Sequence, residues 1–456
     1  MANVSRALER IKQDLESHLP ESMITAACDE AGYRWRERKF GPVKTIHLFV
    51  LQILHLNTAI RHLRHLVKTP VNAAAYCKAR MRLPLGVLQF LLRESSAALH
   101  RDLSSQAGED LTRWQGHRTL LVDATGTITP DTPALQEAFG QPTGRKPGCG
   151  LPVPKVMGLF NAMTGLVVEI MAYALFVHEG AKVWLLHPFL RAGDLLVGDR
   201  AYCSFAHLAL LAGRNVQALF RMHQSKIVNF RPHRKSFNRR QGPKARKAQK
   251  GRPRSRFVAR LGRHDQIVRW IKPEFRHKSP SWMNRQQFDL LPDELELREI
   301  RYQIAHKGSR TRTVTVVTTL LDPTRYSKAA IAELYGMRWR VETDFRDLKI
   351  TLKMRRLKCG TEEGIYKELA VYALVYNLVH CIMVRAAAAQ RTTPDRISFI
   401  DALRWLLSAE VDEPLPVLVE NPRRADRYEP RVVKDYPSRF PGMTRTREEL
   451  RAKQVA

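Results

Sequence analysis

Between residues 119 and 220 the chain carries short apolar runs divided by turn signals and helical stretches, and this pattern restricts its fold class more than any other feature. Thr119-Leu-Leu-Val122 is an apolar run that stops on Asp123 and is followed by Thr125 and Gly126. Such a run predicts a buried strand that ends in a loop. Lys155 to Phe160 and Leu166 to Tyr173 predict two more strands, joined by the turn-like Asn161-Ala-Met-Thr-Gly165. A helical stretch from about Glu179 to Leu190 follows, then the apolar strand Asp194-Leu-Leu-Val197-Gly, which stops on Asp199. Ser204 is placed to cap a helix to Ala212, and Val216 to Phe220 predicts a fifth strand. Three strands, helix, strand, helix, strand is the order of an α/β layered domain.

The flanks read differently. Residues 1 to 112 form a helical module with basic edges: Pro42 opens a helix through Leu56, Arg61-His-Leu-Arg64-His-Leu repeats at helical spacing, and a further helix starts after Leu83-Pro84. Residues 113 to 224 are the first part of the α/β core. From about Phe230 the regularity breaks, and residues 231 to 256 carry twelve Lys or Arg and no acid. A run of that kind is a solvated, polyanion-seeking loop. Strand-like segments at 256–260, 266–271, 295–304 and 311–320 then suggest a β-rich insertion over 225 to 322, rather than a continuation of the first sheet. Helical periodicity returns over 323 to 408. Leu334, Met337, Val341, Phe345, Leu348 and Leu352 form one apolar stripe on a helix spanning 327 to 354, and a second helix runs from Tyr366 to Ala389. Residues 409 to 456 alternate acids, prolines and basic residues and read as a loose tail.

Composition decides the class of partner. With 76 Lys and Arg against 44 Asp and Glu, the net charge is +32, while 44% hydrophobic residues are enough to build cores and exclude general disorder. An excess of that size points to nucleic acid, because Lys and Arg gain affinity by displacing phosphate counterions. No membrane is expected as a partner: the apolar stretch Leu369 to Val384 is interrupted by Asn377 and His380 and reads as a core helix. Cys28, Cys77, Cys149, Cys203, Cys359 and Cys381 are dispersed, without the spacing of a zinc site or a disulfide framework, which fits a reducing compartment. The start of the chain lacks the apolar centre of a secretory signal, so a cytoplasmic location is expected.

Two strands that end on aspartates place Asp123 and Asp199 where open α/β sheets bind ligands, although a strand-terminal Asp is also a common turn residue. Tyr335, Arg338, Glu342 and Lys349 follow at helical spacing and project within a band of about 60°, flanking the apolar stripe. They would border core and cleft; an exposed face carrying an Arg338–Glu342 ion pair satisfies the same spacing. Trp339 can stack on a base or pack at a helix edge, and Trp270 and Trp282 are lesser stacking candidates. His178 and Glu179 lie near the predicted cleft entrance and read as structural.

The run Tyr335-Gly-Met-Arg338-Trp-Arg-Val-Glu342-x2-Phe345-Arg-x-Leu-Lys349 resembles the Tyr-Arg-Glu-Lys signature of the DDE transposases of the IS-four-like insertion-sequence group. Asp199-Arg-Ala-Tyr202 is similar to the block around the second aspartate of that family, and Val122-Asp123-Ala-Thr125 to the block around its first. Tyr76-Cys-Lys-Ala-Arg80-x2-Leu83-Pro84 is similar to an N-terminal segment of the group, so the resemblance extends from about residue 40 to about 390.

The resemblance implies an RNase H-like core, a mixed sheet flanked by helices, interrupted by the β-rich insertion and preceded by a helical DNA-binding domain. It implies Asp123, Asp199 and Glu342 as a catalytic triad holding two Mg²⁺ ions, with Mn²⁺ able to substitute. Carboxylates suit that role because Mg²⁺ prefers hard oxygen ligands. Tyr335, Arg338 and Lys349 would clamp phosphates, with Trp339 beside them. Arg239, Arg240, Lys244, Arg246, Lys247, Lys250, Arg252 and Arg254 would track the DNA backbone. The implied partners are double-stranded DNA, as transposon ends with terminal inverted repeats and as target, and a second copy of the chain in a synaptic dimer. The implied reaction is cut-and-paste transposition through a hairpin, at a bacterial nucleoid. An RNase H-like nuclease without strand transfer and an inactive, domesticated DNA-binding relative are the rival readings.

Overall fold

The computed structural model describes residues 19–36, 39–67, 71–106, 112–143, 148–232, 234–236, 252–275, 282–304, 313–410, 413–422 and 443–455. Helices α1 (Glu21–Glu30), α2 (Pro42–Leu54), α3 (Ala73–Arg82) and α4 (Leu85–Gln106) precede strand β1 (Thr119–Gly126). After α5 (Pro133–Phe139) come β2 (Lys155–Asn161), β3 (Val167–Tyr173), β4 (Leu195–Gly198), α6 (Phe205–Gly213) and β5 (Gln217–Arg221). Ser204 caps α6 as its position predicts, accepting from the His207 N–H. The expected helix from Glu179 is instead two 3₁₀ segments, Glu179–Ala181 and Val183–Phe189, the second containing Pro188. Proline has no N–H to continue an α-helical ladder.

Among the described residues, one nine-stranded sheet organises the chain, in the order β3-β2-β1-β4-β5-β9-β8-β7-β6. Its second half is β6 (Ser255–Gly262), β7 (Asp265–Ile271), helix α7 (Arg285–Asp289), β8 (Glu294–Gln303) and β9 (Thr313–Thr318). The segment is β-rich as expected, but it continues the first sheet rather than forming a separate one. Leu219, Phe220 and Arg221 of β5 pair antiparallel with Thr318, Val317 and Val316 of β9. Without β9 the edge of β5 would present unpaired N–H and C=O groups. Leu297, Val317 and Val268 of the added strands bury in the same core as Leu196, Phe205 and Leu208. Inside this half, Arg298 makes a bidentate pair with Asp265 at 2.8 and 2.6 Å and donates to the Tyr326 carbonyl at 2.7 Å. That third bond ties the added strands to the chain entering the next helix.

The apolar stripe predicts that this next helix runs unbroken from 327 to 354. It forms instead as α8 (Lys328–Met337), capped by Ser327, then α9 (Arg340–Arg346) and a single π turn over Asp347–Thr351. The amides of Arg338 and Trp339 bond three residues back, to Tyr335 and Gly336, which tightens the junction. Leu352 then bonds five residues back, to Asp347, which loosens the far end. The two irregularities keep Leu334, Val341, Phe345, Leu348 and Leu352 buried while carrying Arg338 inward.

Helix α10 (Glu362–Ala389) crosses the centre of the molecule. It is long and apolar enough for a membrane span, yet 94% of its apolar window is buried inside the protein. It is a core helix, in keeping with the interrupting Asn377 and His380: Asn377 accepts from the Val167 N–H and donates to the Val167 carbonyl, at 2.7 and 2.8 Å. The N-terminal helices share this core, since Ile24, Phe49, Ile53 and Leu91 cluster with Leu369 and Tyr376. After α11 (Phe399–Ser408) the chain ends in α12 (Arg447–Val455). Arg447 clasps Asp131 with two bonds of 2.7 Å, so this part of the expected loose tail is docked on the core.

Candidate active site

Strands β1 and β4 run parallel, with Val122 opposite Gly198, so Asp123 and Asp199 each follow a matched residue; Asp199 lies just past the end of β4, whereas β1 does not stop at Asp123 as expected but stays paired with β2 through Gly126. Four buried residues, Thr119 to Val122, anchor β1 before it emerges at Asp123. Two glycines permit the close approaches here. Gly158 lies opposite Asp123 in β2, and a Cβ there would stand 2.4 Å from the Phe160 ring and 3.1 Å from that of Phe345 on α9. Gly198 lets the Tyr202 ring pack over β4, where a Cβ would meet it at 2.8 Å.

Asp199 accepts from the Arg200 N–H at 2.6 Å and caps the turn Arg200–Tyr202. Asp123 accepts from the Ala124 N–H at 2.8 Å. Burial pushes the Asp123 carboxyl up to about 6, against the pull of the Ala124 N–H and the Arg338 guanidinium, while Glu179 and Asp199 add to the rise. A carboxyl raised by burial and by anionic neighbours is poised to gain from a cation.

Arg338 supplies one cation already. Its guanidinium reaches Asp123 at 3.4 Å and Glu342 at 3.3 Å, bridging the two carboxylates. The i, i+4 pair with Glu342 therefore exists, but not on an open helix face, because Arg338 is only 6% exposed. Burial opposes its charge, and Tyr335, Asp123, Asp199 and Glu342 favour it strongly enough to raise its pKa. The exposed Trp339 ring lies 4.5 Å from the guanidinium carbon, a cation–π contact. Tyr335 is buried with its hydroxyl unbonded among the described residues, and burial raises its pKa. Lys349 donates to Thr125 Oγ1 at 2.9 Å, and burial, with Arg355 nearby, lowers its pKa.

A pocket of about 320 Å³ opens between these elements, lined by Asp123, Thr125, Glu342, Phe345, Arg346 and Lys349. Thr125 and Arg346 had no role in the sequence reading, although both lie inside the motif blocks that brought their neighbours forward. Glu342, half exposed, faces this pocket. The donor set is all carboxylate, which fits a hard divalent cation such as Mg²⁺. Among the described residues no three His, Cys, Asp or Glu side chains are already gathered at ligating distance.

The remaining candidates divide. Arg239, Arg240, Lys244, Arg246, Lys247 and Lys250 lie outside the described residues. Arg252 and Arg254 lead into β6, the edge strand farthest from β3 in the sheet. Trp270 is not available for stacking on a base: it is buried, donates to Glu299 at 2.9 Å and is covered by Lys226 at 3.6 Å. Trp282 is partly buried against the same core. His178 accepts from the Gly180 N–H at 3.1 Å and so shapes its turn. Its neighbour Glu179, read as structural, lies within electrostatic reach of Asp123 and Asp199.

Residues 114–378 match the family model described as "Transposase DDE domain". Over 386 residues the chain is 25% identical to the transposase InsG for insertion sequence element IS4 of Escherichia coli (strain K12), covering 78% of each. Among solved structures, the piggyBac transposase synaptic complex with hairpin DNA overlaps 87% of this chain and 79% of its own at 11% identity and a TM-score of 0.39, too loose a likeness to argue from.

Proposed function

Because the chain belongs to the DDE transposase family, of the IS4 type, we propose that Asp123, Asp199 and Glu342 are its catalytic carboxylates and that it cuts and rejoins DNA at the ends of an insertion sequence. The observation that carries this reading is the convergence of two neighbouring parallel strands, which place Asp123 and Asp199 after matched residues, with a helix whose Arg338 joins Asp123 to Glu342. Strands β3-β2-β1 antiparallel, followed by β4 and β5 parallel to β1, support an RNase H-like core in which β1 and β4 carry the two aspartates.

Asp123, Asp199 and Glu342 would hold a pair of Mg²⁺ ions, or Mn²⁺ in their place. When bound, these supply Lewis-acid activation of the attacking oxygen and charge stabilisation of the leaving one. Water attacks the phosphorus in line; its oxygen bonds to phosphorus as the bond to the 3′-oxygen breaks, leaving a 3′-hydroxyl and a 5′-phosphate. Arg338, which bridges two carboxylates of the pocket, and Lys349, which lines it, present cationic donors to the non-bridging oxygens. Their positions favour a phosphate held beside Asp123, and the guanidinium offers a two-pronged grip that an ammonium lacks. Tyr335, whose hydroxyl has no partner among the described residues, is the third clamp residue. The freed 3′-hydroxyl then attacks the opposite strand to form a hairpin, which water reopens before strand transfer into target DNA.

The net charge of +32 supports a DNA partner, with the basic run 231–256 tracking the backbone. Work on two transposon ends implies a homodimer in a synaptic complex, acting on DNA in the cytoplasm of a bacterial host. The test is incubation of the full chain with a supercoiled plasmid carrying the inverted repeats that flank its gene. Mg²⁺-dependent nicking at the repeats and joining of the 3′-end to target DNA are expected. Nicking without joining would reduce the protein to a nuclease, and binding without nicking to an inactive relative.

A further inference from the structure

A turn between β3 and β4 brings a further carboxylate to the site. Gly180 lies so close to the turn after Asp199 that a Cβ on it would stand 2.6 Å from the Ala201 carbonyl oxygen. Only glycine tolerates that approach, and it fixes its neighbour Glu179 beside the Asp199 block. The partner Glu179 has in the structure is loose: Lys155 Nζ lies 4.0 Å from its carboxylate, and both side chains are about a quarter exposed. Burial raises the pKa of Glu179, Lys155 lowers it and Asp199 raises it further.

A second, independent feature lies behind these acids. The hydroxyls of Tyr173 and Tyr202 are buried with no hydrogen-bond partner among the described residues, and the two residues are 4% and 1% exposed. Burial pushes both phenols up, and the carboxylates that act on each of them next are Glu179 and then Asp123. Two orphaned hydroxyls therefore lie within electrostatic reach of Glu179 and Asp123, that of Tyr202 within reach of Asp199 as well. Buried polar groups of this kind are satisfied by water or by the ligands of an ion.

We propose that Glu179 is a fourth carboxylate of the divalent-metal centre, placed beside Asp199 and backed by the hydroxyls of Tyr173 and Tyr202. The assignment rests on the reading of Asp123, Asp199 and Glu342 as metal ligands. Glu179 shares a cation with Asp199 directly or through a bound water, and the tyrosine hydroxyls donate to its carboxylate or to that water.

The test is Mn²⁺ binding to the full-length chain, followed by the electron paramagnetic resonance signal of free Mn²⁺, so that it needs no turnover. Glu179→Gln is expected to weaken Mn²⁺ binding roughly 10- to 100-fold, the range for lost partners of a metal centre. Glu179→Asp should recover part of the loss. Lys155→Met should not weaken binding at all, since it removes a competing cation. Binding by Glu179→Gln within about twofold of the unaltered chain, well below that 10-fold floor, would overturn the assignment, as would an equal loss in Lys155→Met. If Glu179→Gln does not fold, Glu179→Asp decides alone, with wild-type affinity counting against the proposal. Asp123→Asn is the control that separates the two readings. Lost binding there with intact binding in Glu179→Gln defeats only Glu179, whereas equal binding by the unaltered chain and Asp123→Asn defeats the metal centre and Glu179 with it.

Discussion

Replacing Arg338 by alanine removes the one cation that, among the described residues, touches both Asp123 and Glu342, at 3.4 and 3.3 Å. Two limits frame the cost. An exposed i, i+4 pair contributes about 0.3–0.5 kcal/mol, and breaking a fully buried pair costs about 3–5 kcal/mol. The bridge lies between them. Its guanidinium is buried, but its contacts are longer than the roughly 2.7–2.9 Å of strong charge-assisted bonds, and Glu342 is half in solvent. We therefore expect Arg338→Ala to lose about 1–3 kcal/mol near pH 8. The sign of the pH dependence follows from Asp123. Its folded pKa, about 6, lies above its ordinary value of 3.8, so the folded state holds the proton more tightly than the unfolded state. Asp123 therefore costs nothing at the acid end, and its cost grows as pH rises through that window. Without Arg338 the folded pKa climbs further, and the cost extends to higher pH. The variant should thus lie closer to wild type near pH 5 than near pH 8. Urea denaturation of the DNA-free protein at both values, repeated in an Asp123→Asn background that removes the titration, measures it. A loss below about 0.5 kcal/mol that is the same at both pH values would refute the buried bridge and restore the open ion pair.

Asp123→Ala, Asp199→Asn and Glu342→Gln should each abolish cleavage of a labelled transposon end while leaving its gel-shift affinity within a few-fold, because affinity comes mainly from Lys and Arg; Mg²⁺-dependent nicking by a folded variant removes that residue from the triad. Neutralising the basic residues of 231–256 should flatten the slope of log affinity against log salt by roughly 0.9 for each phosphate the variant no longer neutralises. An unchanged slope would mean that the run does not touch DNA. Gly158→Ala should cost about 1–3 kcal/mol by overpacking against Phe160 and Phe345, and should slow single-turnover cleavage further by displacing the helix of Glu342; thermal melts and rates on one preparation separate the effects. Burial raises the Asp344 carboxyl to about 8 from 3.8, so native stability falls as pH rises between those values. Asp344→Asn should consequently be the more stable protein above that window and equal to the wild type below it, as read from urea midpoints.

The five core strands were legible because each is a short apolar run, and the position of Asp199 just past β4 came with them, but the polar residues after Val122 hid the continuation of β1 to Gly126, where pairing with β2 holds the strand. The spacing of Tyr335, Arg338, Glu342 and Lys349 was equally plain, since helical periodicity is a local property of the chain. Even so, it could not separate an exposed ion pair from a buried one. That distinction depends on Asp123, more than two hundred residues away in the chain, meeting the other end of the Arg338 guanidinium.

What the linear pattern left open is what depends on packing between distant segments. Strand periodicity carries no record of which edge a strand will join, so the 255–318 strands looked like a separate unit until β9 closed the edge of β5. Trp270 could be weighed as a stacking residue only until the sheet buried it beneath Lys226. Glu179 belongs to no motif spacing; its place beside Asp199 follows from Gly180 fitting against Ala201. Residue types and periods along the chain thus determined the elements and the chemistry they carry. The tertiary structure alone decided which charges share a low-dielectric space, because burial and long-range packing, not sequence proximity, set the distances between them.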